Sequence, residues 1–402
     1  MAPRPFHPRP GRPRDPELAA AVDITRALTR RRFLQRSGLG LGAALLAPNL
    51  LAACSTPGSG DFTFSNWAAY IDEDDSGSNT GKGTTLSNFE KETGIKVRYL
   101  TDFNDNDAYF NKSFSPLLGR GKKINADLTA PTYWMAARLK KLGWLDEIDL
   151  ANVPNHKNLE DAYTNLAWDP GAHYFMPWQA GIAGIAYNPK LTGRKLTSAN
   201  DLFDPKFKGQ VSMLTEMRDS VGLTMFGMGK SVAEANPDDI NDAMDKIEKA
   251  KQDGQIVHFT GNEYLQGLES QDYAVCVAWS GDVYSLDPDL GIEFIVPEEG
   301  GTQWFDAMVI PKGADQKRDA ETWMNYVYDP EHAAQITEWV GYVSPVKGVR
   351  EVLEKAGGDS AEVAENPLVF IDDAVQKRLQ VFGDLEQQDE IDIQSRFNDI
   401  TG

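Results

Sequence analysis

The chain has 402 residues, 41% hydrophobic and 10% aromatic, with 40 Lys and Arg against 60 Asp and Glu and a formal charge of −20. That length supports two cores of ordinary size, and so acidic a surface repels nucleic acid and anionic lipid while attracting cations, which argues against a nucleic-acid partner.

At the N-terminus, Arg30-Arg31-Arg32-Phe33 precedes an apolar, glycine-interrupted stretch from Leu39 to Ala53. The stretch is shorter than the roughly 20 apolar residues of a membrane span. Basic flank, apolar core and small-residue exit are the parts of a secretory signal, and the paired arginines mark twin-arginine export. Leu51-Ala52-Ala53-Cys54 resembles the lipobox of bacterial lipoproteins. That resemblance implies that residues 1–53 are removed and that acylated Cys54 anchors the mature protein on the outer face of the bacterial cytoplasmic membrane. Removal takes away nine basic and three acidic residues and leaves 31 against 57, a formal charge of −26. With Cys54 acylated, Cys276 is the remaining cysteine and no intramolecular disulfide forms. Residues 54–61 read as a flexible tether of Ser, Thr, Pro and Gly.

From Phe62 onward the pattern alternates. Phe62 and Phe64 open a strand, Leu86 to Thr93 a helix with a capping pattern at Ser87 and Glu90 and a stop at Gly94, and Ile95, Val97 and Tyr99 a second strand. This is a βαβ unit, which predicts a parallel sheet covered by helices. Further strands are expected at 126–130, 182–187, 209–214, 274–279 and 308–311. Helices are expected at Ile240 to Lys251 and from Pro330, at its first position, to Gly341. The acidic, glycine-rich stretch from Asp72 to Gly83 reads as an exposed loop. A calcium loop beginning at Asp102 would need Gly at 107 and Glu at 113, where Asp107 and Ser113 stand, so no metal site is expected there.

Enzyme signatures are absent from the sequence. His156, His173, His258 and His332 are isolated, and there is no Gly-x-Ser-x-Gly elbow, phosphate-binding glycine loop or Cys-x-x-Cys pair. Cys276 lies in an apolar run of strand character and reads as a buried small hydrophobe. A carboxylate-pair glycoside hydrolase leaves no signature of this kind and stays open as an alternative.

Aromatic residues instead gather with polar and acidic ones at strand edges: Asn66-Trp67-Ala68-Ala69-Tyr70, Pro131-Thr132-Tyr133-Trp134, Trp279-Ser280-Gly281-Asp282 and Trp304-Phe305-Asp306. Open α/β sheets place ligand crevices at such edges. Rings cover methylene groups and attract cations, so rings beside carboxylates suit an ammonium on an aliphatic chain.

These residues, with Phe89-Glu90-Lys91-Glu92-Thr93-Gly94, Asp201-Leu202-Phe203-Asp204-Pro205, Pro297-Glu298-Glu299-Gly300-Gly301 and Gly341-Tyr342, resemble the periplasmic spermidine/putrescine-binding proteins. These are the solute receptors of polyamine ABC importers. The resemblance runs from Phe62 to the C-terminus. It implies an α/β, two-lobed periplasmic binding protein-like fold, whose hinged lobes each hold a mixed β-sheet flanked by helices. Lobe 1 would comprise 62–180 and 303–346, and lobe 2 181–302 and 347–402, with chain crossings near Trp178 to Gly181, Gly301 to Trp304 and Val346.

By the same resemblance, Trp67, Tyr70, Tyr133, Trp279, Trp304 and Tyr342 line the cleft, and Glu216, Asp219, Asp282 and Asp306 receive the amines. The implied protein is a monomer with no cofactor, no metal and no enzymatic activity. It would hand a polyamine to membrane permease subunits. Glu216 and Asp219 stand where spermidine receptors carry Asp and Glu, and a glutamine near the C-terminus lacks a counterpart. A receptor of the same fold for ferric ion or a neutral solute is the other alternative.

Overall fold

The computed structural model describes residues 61–402 except Asn104, Ala167 and Asp384. The signal segment, Cys54 and the tether as far as Gly60 lie outside the described residues.

Strand β1 (Phe62–Trp67) is buried along its length up to half-buried Trp67 and pairs in parallel with β2 (Val97–Phe103) and β3 (Leu128–Thr129) on either side. Phe62 and Phe64 share one face of this central strand, and the polar Thr63 and Ser65 are buried on the other. Helix α1 (Thr85–Thr93) connects β1 to β2. Its cap is Thr84, whose hydroxyl accepts the Ser87 N–H, and it ends at Gly94 with φ 76°. The capping role expected of Ser87 and Glu90 is therefore displaced. The helix starts early enough to make Ser87 the donor to the cap, and the Glu90 carboxylate instead accepts the Val97 N–H at 2.9 Å. Helix α2 (Tyr133–Lys141) follows β3.

The larger sheet is built on β4 (Met176–Tyr187), a strand of 12 residues, all buried. It begins earlier than the expected Ile182, because Met-Pro-Trp-Gln-Ala-Gly carries little period-2 signal. Further elements, in chain order, include β5 (Val211–Leu214), α3 (Met217–Gly227), α4 (Pro237–Gln252), β6 (Ile256–Thr260), β7 (Val275–Trp279), α5 (Ser280–Tyr284), β8 (Glu293–Ile295), β9 (Gly301–Met308), α6 (Pro330–Val340), β10 (Leu379–Gln380) and α7 (Gln387–Thr401). The sheet order is β10-β9-β4-β7-β5-β6, with β8 also on β4. Pairs β4–β7, β4–β8 and β4–β9 are antiparallel, while β5–β6, β5–β7 and β9–β10 are parallel.

Both long strands belong to more than one core. Met176 and Trp178 pack with Phe64, Phe89, Trp323 and Val340, whereas Ala183, Ile185 and Tyr187 pack with Met213, Val221, Ile247 and Phe397. A third cluster, holding Phe114, Met135, Leu139 and Phe305, adjoins the first. At the passage Gly181 pairs with Trp304, and a Cβ on Gly181 would stand 2.5 Å from the indole Cζ2. The two lobes are thus joined by strands that cross as one antiparallel ribbon.

The third crossing lies elsewhere than expected. Val343 bridges Ala180, but Val346, Val349, Leu353, Val363 and Val369 all remain in the first core. The chain enters the other lobe between Val369 and Phe382, through β10. The reason is the apolar pair Val349 and Leu353, whose i,i+4 spacing turns one helical face into the first core.

Gly300 stands where β9 begins, with φ 139°, and a Cβ there would meet the Phe226 ring at 2.5 Å and the Arg378 carbonyl oxygen at 2.8 Å. Gly300→Ala is expected to cost about 1–3 kcal/mol through backbone strain and overpacking. Urea unfolding should show a lower midpoint at unchanged slope. A parental midpoint would contradict this reading of the passage.

Candidate functional site

β1 ends at Trp67, and Ala69, with φ 54°, turns the chain so that Tyr70 is buried. The Tyr70 hydroxyl donates to Asp306 Oδ2 at 2.7 Å, and the Thr132 hydroxyl donates to Asp306 Oδ1 at 2.8 Å. Thr132 is itself held by Asn106, whose amide nitrogen donates to the Thr132 hydroxyl at 2.8 Å. Strand alternation places Trp304 and Asp306 on one side of β9. The register shifts between Phe305 and Ala307, a local irregularity of the kind that re-aims a side chain.

Asp282 lies in the first turn of α5. Its Oδ2 accepts from the Tyr264 hydroxyl at 2.8 Å and from the Asn262 amide at 2.7 Å, and its Oδ1 from the Tyr342 hydroxyl at 2.9 Å. Asp219 lies in the first turn of α3. It accepts from the Trp279 indole N–H at 2.7 Å and the Thr302 hydroxyl at 2.6 Å. Glu216 caps the same helix.

The rings form a continuous wall. Tyr70 meets Tyr342 at 5.3 Å, Tyr342 meets Trp304 at 5.5 Å, and Trp304 meets Trp279 at 6.5 Å, each edge to face. Gly281 lets Tyr342 approach, since a Cβ there would lie 2.5 Å from its ring.

The charges are the informative part. Asp219 and Asp306 are 3% and 4% exposed, and every hydrogen bond they receive comes from a neutral hydroxyl or indole N–H. Burial pushes Asp306 up to about 7 despite the bonds from Tyr70 and Thr132, and the charge of Asp219 adds to the push. Burial likewise pushes Asp219 up to about 6 and Glu216 up to about 8. Asp282 is raised by burial against the three bonds it accepts. A basic side chain, Arg218, offsets the shift at Glu216 and Asp219; at Asp282 and Asp306 the offsetting groups are neutral hydrogen-bond donors. Buried carboxylates in this condition are poised for a cation.

Of the residues expected in the site, Tyr70, Asp219, Trp279, Asp282, Trp304, Asp306 and Tyr342 are joined by these bonds and ring contacts, with Glu216 beside Asp219. Trp67 and Tyr133 face other partners. The Trp67 indole donates to the Ala130 carbonyl at 2.7 Å, and Tyr133 stacks on Phe305 at 5.1 Å while its hydroxyl donates to the Phe382 carbonyl. Sequence reading missed Tyr264, Asn262, Thr132 and Thr302, which orient the acids, and Arg218. Only Thr132 carried a signal, as part of Pro131-Thr132-Tyr133.

Cys276 is buried, and burial raises its thiol, the condition of an inert side chain. Among the described residues no group of three or more His, Cys, Asp or Glu is placed to hold a metal ion. No helix among them is long and apolar enough to cross a membrane.

The family of bacterial extracellular solute-binding proteins matches residues 84–371, well over half of the chain, and the chain belongs to that family. It is similar to the spermidine/putrescine-binding periplasmic protein of Escherichia coli K12, with 27% identity over 350 residues, 85% of this chain and 90% of the relative. The putrescine-binding periplasmic protein SpuD of Pseudomonas aeruginosa is 26% identical over 373 residues, 88% of this chain and 95% of that protein. Among solved structures, a Listeria monocytogenes protein described provisionally as a spermidine/putrescine ABC transporter superposes with a TM-score of 0.72 at 29% identity, covering 85% of this chain and 98% of that one. The fold is the two-lobed one of these solute receptors.

Raised carboxylates set a pH dependence. Unfolded, Asp and Glu titrate near about 4, so between that pH and the folded values the native ligand-free protein binds more protons than the unfolded chain. The stabilisation is present below about pH 4 and is lost as pH rises through about 6, 7 and 8, the values for Asp219, Asp306 and Glu216. The melting temperature of ligand-free protein should therefore fall from pH 5 to pH 8, and Asp306→Asn should flatten that decline. A melting temperature that rises across this window would contradict the assignment.

Proposed function

We propose that this chain is an extracytoplasmic receptor that closes on a protonated polyamine of the putrescine or spermidine class and presents it to the permease of an ABC importer. The observation that carries this reading is the set of buried aspartates satisfied only by neutral donors and set into a wall of aromatic rings. An ammonium supplies the missing charge, and its hydrogens bond the carboxylate lone pairs left over by Tyr70, Thr132 and Tyr342. Methylene groups lie against Trp304, Trp279, Tyr70 and Tyr342, where rings gain from both burial and cation attraction. Asp306, Asp282 and Asp219 receive the amines, with Glu216 at the margin. Trp67 and Tyr133 act as supports of the cleft wall. No bond in the ligand is made or broken.

The names of the E. coli and P. aeruginosa relatives, which state spermidine and putrescine binding, support the ligand class. We further infer that the receptor is a monomer tethered through acylated Cys54. An acyl chain contributes about 0.8 kcal/mol per buried methylene, and stable anchoring takes more than one chain. Cys54→Ala should move the protein from the membrane fraction to the soluble fraction of cells, and an unlipidated N-terminus in the intact mass of the wild-type protein would refute the anchor alone.

Recognition of charge separates this reading from a neutral-solute receptor. By calorimetry, Asp306→Asn should weaken putrescine and spermidine binding by about 2–5 kcal/mol, the usual consequence of removing one partner of a buried charge pair. Trp304→Phe, which keeps a ring over the methylenes, should cost about 1 kcal/mol. Butane-1,4-diol should not compete. Parental affinity in Asp306→Asn, or competition by the diol, would overturn the proposal.

A further inference from the structure

Arg218 stands in sequence between Glu216, the cap of α3, and Asp219 in its first turn, yet its guanidinium bonds neither of them. Its Nη2 donates to Glu390 of α7 at 2.7 Å, and its Cζ stands 4.0 Å from the centroid of the Trp134 ring in α2. The residue is only 6% exposed, and its Nη1 is buried without a hydrogen-bond partner among the described residues. A planar cation seated on a ring face is held by the ring quadrupole rather than by a full complement of hydrogen bonds, which accounts for the unused donor.

These partners come from opposite lobes. Helices α3 and α7 contribute Val221, Ile393 and Phe397 to one core, whereas α2 contributes Trp134, Met135 and Leu139 to the other. Around the contact the facing surfaces are polar, with Asp107, Asn111 and Arg138 on one side and Glu390, Gln394 and Asn398 on the other. Arg138 is occupied by Asp107 at 3.4 Å. The contact of Arg218 with Trp134 is therefore a desolvated cross-lobe contact beside a polar crevice. Tyr133, next in sequence, adds a hydrogen bond to the Phe382 carbonyl of the opposite lobe at 3.1 Å.

We propose that Arg218 is a positioning residue that clamps the two lobes together, seating on Trp134 across the crevice with Glu390 fixing the guanidinium plane. The proposal rests on the reading of the cleft as the ligand site only for its kinetic consequence. Opening the lobes to release a ligand strips the ring from Arg218, so the clamp acts on release rather than on encounter. Its place beside Glu216 and Asp219 ties the closed state to the acids that receive the ligand.

The test places spin labels at Lys141→Cys in α2 and Lys249→Cys in α4, both exposed and in different lobes, and measures the inter-label distance distribution without ligand. Release rates of putrescine and spermidine are followed by stopped flow. Arg218→Gln and Trp134→Ala should each shift the ligand-free distribution to longer distances and raise the release rate about tenfold, with a much smaller change in the association rate. Trp134→Phe, which keeps a ring, should restore the parental distances. Should Arg218→Gln fail to fold, the two Trp134 variants decide the matter. Parental distances in Trp134→Ala would overturn the clamp whatever the ligand. If the parent binds neither amine while the distances shift as expected, the polyamine reading falls and the clamp stands.

Discussion

The structure turns on the burial of carboxylates whose hydrogen bonds come from neutral donors rather than from cations. Asp219 and Asp306 are among the least exposed acids of the described chain, and hydroxyls and an indole N–H supply their hydrogen bonds. Neutral donors satisfy oxygen lone pairs, but they do not replace the hydration of a full negative charge. The cost appears as carboxyls that hold their protons toward neutral pH. A site of this kind is unfavourable when empty and ionised, and an ammonium, as proposed, would relieve it.

Such a site can exist because its walls come from two lobes that share strands. β4 and β9 cross as an antiparallel ribbon, and the contact of Gly181 with Trp304 puts a cleft ring directly on the crossing. The acids are distributed accordingly. Asp306 follows the ribbon toward one core, Asp219 and Asp282 sit at helix starts on the other, and the ring wall spans the gap. In the receptor proposed above, closing the lobes would assemble the box, which would make recognition and conformational change one event.

Much of the candidate cluster was legible because it is written locally. An aromatic and an acid two or three positions apart at a strand end, as in Trp304 to Asp306 and Trp279 to Asp282, share a side by strand or first-turn geometry. Of the groups that orient the acids, Tyr70 and Tyr342 were expected as cleft rings, but the pairings made by the threonines were not legible. Thr132 reaches Asp306 across 174 positions and Thr302 reaches Asp219 across 83, and no local pattern announces a pairing made by the fold. The third crossing was misplaced for a related reason. The apolar spacing that follows Val346 belongs to a new helix, Val349–Ala356, and only packing tells which core that helix serves. At α1 the cap lies three residues earlier than expected, at Thr84 rather than Ser87.

The central claim is that cation binding completes the ionisation of buried acids, and proton counting tests it most directly. Putrescine titrated calorimetrically at pH 7 into buffers of differing ionisation enthalpy should give buffer-dependent heats. The sign should report proton release, since acids held at about 6 to 8 ionise as the ammonium, with a pKa near about 10.4, arrives already charged. Tight binding with a heat independent of buffer, or with proton uptake, would contradict the account.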